Sequence, residues 1–134
     1  MKAKASLTMA LLLTLLSGVS CSRFFSSPTS VVRNLMGDIT AGKIDDAAAL
    51  LSSNYIQSKG GMVSVKQKLA DVAWVVKEKK NLKSFEVQTE EVFGDLASVT
   101  ASVVSSDGIT RTIKFKLVKE NGAWKIDSVE PDFL

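Results

Sequence analysis

At Leu82 the hydrophobic period of this chain changes, and the change leaves few shapes open to it. Before Leu82, apolar residues recur at intervals of three and four; after it they alternate with polar ones. The first spacing puts one apolar stripe on a helix, and the second puts one apolar face on a strand. A helical half followed by a sheet half implies an α+β domain, with the helices covering one side of an antiparallel sheet.

In the helical half, Ser27-Pro28 is a start signal, serine as N-cap and proline in the first turn. Val31, Val32, Leu35, Met36 and Ile39 follow at helical spacing, and Gly42 can close the helix. A short second helix is expected over 45–51, with Asp45 and Asp46 at its positive end. Residues 52–63 show little periodicity and read as a loop. Ser64 to Gln67 matches a capping box and opens a third helix, with Val65, Leu69, Val72, Ala73 and Val76 as its stripe, ending near Asn81.

Four alternating runs follow. They centre on Phe85-Val87, Val99-Ala101-Val103, Ile109 to Leu117 and Trp124-Ile126. Asp107-Gly108 and Asn121-Gly122 read as two-residue hairpin turns, and Gly94-Asp95 as a looser one. The inner face is then Phe85, Val87, Val99, Ala101, Val103, Ile113, Phe115, Leu117, Trp124 and Ile126. Arg111, Glu91 and Glu130 share that parity near strand ends. Thr100, Ser102, Thr110, Thr112, Lys114 and Lys116 make the opposite face polar, which argues against an obligate hydrophobic dimer through it while leaving homodimer pairing open.

The first residues have a different purpose. Lys2 and Lys4 precede an apolar run from Leu7 to Leu16, and small residues follow. This is the layout of a secretory signal, too short for the ~20 residues of a membrane span. Gly18-Val19-Ser20-Cys21 resembles the bacterial lipoprotein lipobox, with Gly18 where leucine is usual. The resemblance implies cleavage between Ser20 and Cys21 and a lipid on the Cys21 sulfur. Acylation also accounts for a single cysteine in an oxidising compartment. The expected layout is signal peptide over 1–20, lipidated cysteine and spacer over 21–27, and one domain over 28–134. Ser22, standing where aspartate would signal inner-membrane retention, implies an outer-membrane address facing the periplasm. In the spacer, Phe24 and Phe25 can either dip into the interface or pack on the domain.

Composition narrows the chemistry. Without Lys2 and Lys4, the 17 basic groups fall to 15 against 14 acidic ones, and a near-neutral domain does not suggest nucleic acid as a partner. There is no histidine, so serine nucleophiles lack an imidazole to activate them. No spaced ligand set or phosphate loop appears, and neither a metal nor a cofactor is expected. Tyr55, Asp71 and Glu91 are the remaining catalytic candidates, against plainer readings as a packed ring and solvated carboxylates. Trp74 and Trp124 read as core or edge packing.

The whole pattern is similar to the nuclear transport factor 2-like superfamily, a cone of curved sheet and helices. Pro28 to Ser53, with Gly42-Lys43-Ile44-Asp45-Asp46-Ala47, and the final Gly122-Ala123-Trp124-Lys125-Ile126, resemble small bacterial lipoproteins of unknown function. That resemblance implies three helices on a curved four-stranded antiparallel sheet, and a cone that Phe85, Val87, Val99, Ala101, Val103, Ile113, Phe115 and Trp124 would line. It leads to a membrane-anchored envelope lipoprotein whose cone holds a small apolar ligand or a protein partner without catalysis. Two rivals stay open: an isomerase- or hydratase-like enzyme using Tyr55 with Asp71 or Glu91, and a structural protein whose cone is filled by its own side chains.

Overall fold

The computed structural model describes residues 26–134; the expected signal peptide, Ser20, Cys21, Phe24 and Phe25 lie outside them. Four helices precede four strands: α1 (Pro28–Ala41), α2 (Ile44–Ala48), α3 (Ser53–Ser58), α4 (Met62–Lys79), β1 (Leu82–Phe93), β2 (Leu96–Ser105), β3 (Thr110–Glu120) and β4 (Ala123–Glu130). The strands form one antiparallel meander in the order β1-β2-β3-β4.

Helix α1 begins and ends where its residues dictate. The Ser27 side chain accepts from the Ser30 N–H, Pro28 occupies the first turn, and Gly42 takes φ 74, a conformation that costs other residues. Val31, Val32, Leu35 and Ile39 are buried from it, as are Val65, Leu69 and Ala73 from α4. Against them lie Val99, Ala101, Phe115, Leu117, Ile126 and Val129 of the sheet. The interdigitated stripe and inner face make the core.

Among the described residues the helix count is four rather than three, because the expected loop over 52–63 contains α3 and the start of α4. Local period cannot reveal α3, since tertiary bonds hold it. The Ser52 N–H donates to the Ile126 carbonyl at 2.8 Å, and the Ile126 N–H donates to Leu50 at 2.8 Å. This pairs Leu51 with Ile126 as a parallel bridge. Ser52 is fully buried; its hydroxyl donates to Asp127 Oδ1 at 2.7 Å and accepts from the Tyr55 N–H at 3.0 Å. Helix α4 starts at Met62 behind Gly61 (φ 101), so Ser64 lies inside the first turn and does not cap it.

The turns also trade roles. Gly94-Asp95 is the tight link between Phe93 and Leu96, whereas Asp107-Gly108 sits in a four-residue loop between Ser105 and Thr110. Asn121-Gly122 closes the last hairpin with φ 52 and 80, both positive as a type I′ turn requires.

Three register shifts interrupt the sheet, at Lys83 and Gln88 of β1 and at Asp127 of β4, and the last two redirect the strand ends. In β1, Val87 pairs with Ala101 but Thr89 pairs with Thr100, which leaves Gln88 as the extra residue. Beyond it parity inverts, so Glu90 faces inward opposite Val99 and Glu91 faces outward opposite Ser98. In β4 the shift falls at Asp127: Leu117 pairs with Ile126, and Lys116 with Ser128. Val129 turns inward and is buried, while Glu130 turns outward toward Lys116 at 3.7 Å. The inward parity expected for Glu91 and Glu130 is therefore corrected. Only Arg111, in the unbroken β2–β3 register opposite Val103, keeps it.

Candidate functional site

The cone is packed at one end and open at the other. Val99, Ala101 and Phe115 are fully buried, and Trp124 is 8% exposed, so these expected lining residues fill the narrow end. Phe85 and Val87 are half-buried against that core, Phe85 meeting Phe115 edge-on at 6.4 Å. Of the expected lining, Val103 and Ile113 reach a cavity of about 620 Å³ at the wide end. The remaining apolar wall is Met36 of α1, Val72 and Val76 of α4, Leu82, Ile109 and Phe133. Val72 and Val76 were visible in the helical stripe; Phe133 belongs to a four-residue tail without periodicity.

The mouth is polar and ordered. Asp107 Oδ1 accepts from the Ser105 hydroxyl at 2.5 Å and from the Ile109 N–H at 3.2 Å. These bonds, Ser105 first, hold its carboxyl below the usual carboxylate range, with a smaller contribution from Arg111. The Ser106 hydroxyl donates to the Lys80 carbonyl and its N–H to Asn81, tying this loop to the end of α4. Arg111 and Lys79 also line the cavity, where Arg111 interacts electrostatically with Asp107. The lining is mainly apolar, with Lys79 and Arg111 set against Asp107 and Asp132 around it, and the Ser105 hydroxyl that bonds the Asp107 carboxylate has no histidine to activate it.

Tyr55 is buried outside that wall, and its hydroxyl donates to Asp132 Oδ1 at 3.0 Å. Burial and, next, this bond raise its pKa above the ordinary tyrosine value. Lys59 bonds the other Asp132 oxygen, donates to the Leu134 carbonyl at 3.0 Å and lies over the Tyr55 ring at 5.4 Å. Burial pushes the Asp132 carboxyl up, but Lys59, the Leu134 N–H and the Tyr55 hydroxyl together hold it below its usual range. Asp132 also lines the cavity. The group pins the C-terminal tail as one wall of the chamber, and Phe133 meets Phe115 edge-on at 6.4 Å.

The other catalytic candidates stand apart. Asp71 is exposed on α4 and accepts from Gln67 Nε2 at 3.0 Å; Glu91 is exposed on the outer face of β1. No hydrogen bond joins either to Tyr55. Trp74 is 58% exposed beside a smaller hollow of about 350 Å³ between α1 and α4. Sequence reasoning missed Asp132 and Lys59, whose partners lie more than seventy residues away along the chain.

Comparison with solved structures gives the fold. An NTF2-like protein of Campylobacter jejuni is similar at 14% identity and TM-score 0.58, covering 77% of this chain and 99% of its own. A cystatin-fold protein of Novosphingobium aromaticivorans matches at 12% identity and TM-score 0.52, over 76% and 97%. A de novo designed NTF2-fold protein matches at 15% and 0.53, over 75% and 78%. No curated protein matches the sequence. A family model described as a domain of unknown function, DUF4878, matches residues 19–127, which is most of the chain, and this protein therefore belongs to that family, built here on an NTF2-like, cystatin-like cone.

Proposed function

We propose that this protein is a lipid-anchored envelope lipoprotein whose cone binds a small, mainly apolar ligand without catalysis. The observation that carries the reading is the chamber of about 620 Å³ at the wide end of the cone. That volume falls inside the ~300–1,000 Å³ usual for ligand pockets, so a cone filled by its own side chains is the weaker reading. The cations Arg111 and Lys79 share the lining with the carboxylates Asp107 and Asp132, so the lining favours no one sign of charge and the apolar wall carries the reading. The enzyme reading lacks a pairing: Tyr55 is engaged with Asp132, and neither Asp71 nor Glu91 is bonded to it.

Native mass spectrometry on the full-length protein, purified gently from its own envelope, tests both halves. Acylation appears as added covalent mass on the chain beginning at Cys21, and a ligand as further mass lost on activation. Ile113→Trp, which fills the chamber, is expected to abolish the second increment and keep the first. A ligand increment unchanged by that substitution would place binding elsewhere. Release of Cys21→Ala from the membrane fraction checks the anchor; if this variant stays membrane-bound, the tether reading fails.

A further inference from the structure

The apolar surface at the end opposite the chamber has no role so far. The β1–β2 hairpin tip exposes Phe93 by 72%, Leu96 by 59% and Val92 by 48%. Phe93 and Leu96 are cross-strand partners, and Leu96 pairs with Val118 on the next strand, so their side chains share the outer face. Val92 sits opposite Ala97, on the other face of the same tip. A two-residue turn thus carries apolar side chains on both sides, a shape that solvated hairpins avoid.

The tip lies beside the point where the N-terminal segment joins the domain. The Thr29 N–H, in the first turn of α1, donates to Glu90 Oε1 at 2.9 Å. Glu90 is three residues before Phe93, a distance of about 10 Å along a strand. The described chain begins at Ser26, and Cys21 is five residues before it. A spacer so short restricts how far from the bilayer this end of the molecule can sit.

We infer that the β1–β2 tip is a second membrane contact, inserting Phe93, Leu96 and Val92 into the interface of the bilayer that holds the anchor. This rests on the lipid-anchor reading above, and it adds an orientation to it. Glu91 and Asp95 flank the tip, so the surface it fits is zwitterionic phospholipid rather than an anionic leaflet. Attraction is by apolar burial, and added salt should leave it unchanged. One lipid anchor permits the domain to tumble; an anchor and a wedge together fix it. Strand β2 runs from Leu96 at the tip to Ser105 at the chamber mouth, roughly 30 Å at strand rise. The mouth therefore faces away from the bilayer, and ligand enters from the aqueous side.

Site-directed spin labelling tests this on the acylated protein floated with phosphatidylethanolamine–phosphatidylcholine vesicles. A nitroxide is placed at Phe93→Cys, and in a second sample at Ile109→Cys, which is 49% exposed beside the chamber. Oxygen and a water-soluble nickel complex compete as relaxants. The expected result is a label at 93 reached by oxygen and shielded from nickel, with the label at 109 in water. Labels at both sites in water, on protein that still floats, would overturn the wedge and leave the anchor intact. Protein absent from the floated fraction would overturn the anchor reading and show that the tip has no hold on lipid either. In the protein labelled at Phe93→Cys, Val92→Asp with Leu96→Asp, at positions that pack in no core, should return the label to nickel access while flotation persists.

Discussion

Tyr55, Lys59 and Asp132 make a cluster in which each group has a separable effect. Tyr55→Phe removes one hydroxyl that donates to a carboxylate and leaves the ring in place. Removing a hydrogen bond to a charged group usually costs about 1.5–3 kcal/mol. A value near the lower end is expected because the Asp132 side chain is 41% exposed, and urea unfolding of the two proteins measures it. Asp132 also sets a pH dependence. Its folded pKa lies below the ordinary value of 3.8, so the unfolded chain takes up its proton first as pH falls. The contribution is complete above 3.8 and is lost as pH drops through the folded value. Asp132→Asn should therefore flatten the acid limb of the stability profile, read as the urea midpoint between about pH 5 and 2. Tyr55 acts at the other limb: its raised pKa makes folding oppose ionisation, so stability present below pH 10.0 declines above it, and Tyr55→Phe removes that decline.

At the scale of the element, β1 separates what alternation can reveal from what it cannot. Period two placed Phe85 and Val87 on the inner face, where they are, and would have carried Glu91 there as well. Gln88 interrupts the ladder, and one extra residue has no signature in composition or period. Asp127 does the same to Glu130 in β4. Helix α3 was illegible for a related reason, since Ser52 caps it only because Leu51 is paired with Ile126, far along the chain. The register of β1 gives opposite outcomes for adjacent glutamates. Glu90→Ala takes a carboxylate from the positive end of α1 and should destabilise by about 0.3–1 kcal/mol. Glu91→Ala, on the outer face, should fall within about 0.5 kcal/mol of no change. Equal effects in chemical denaturation would contradict the bulge.

Across the whole molecule, core and chamber meet at Val72, Ile113 and Phe133, which pack against the buried core and line the chamber, so stability and binding are coupled there. Phe115 is fully buried between Phe85 of β1 and Phe133 of the tail, each ring meeting it edge-on at 6.4 Å. Phe133 also lines the chamber, so the tail is both a plug on the core and a wall of the site. Ending the chain at Glu130 removes that ring, the Asp132 carboxylate and the Lys59 bond to Leu134 together. Phe115→Ala is expected to cost about 3–5 kcal/mol, as a cavity in the packed end of the cone. The truncated chain should lose less, because Phe133 is only partly buried and its departure opens the surface instead of hollowing the core. Ligand retention should rank the other way. Phe115→Ala leaves the chamber wall standing, whereas truncation removes Pro131, Asp132 and Phe133 from it. Thermal unfolding beside native mass spectrometry on both variants reads the two orders. The same order in both measurements would mean that the tail supports the fold and takes no part in the site.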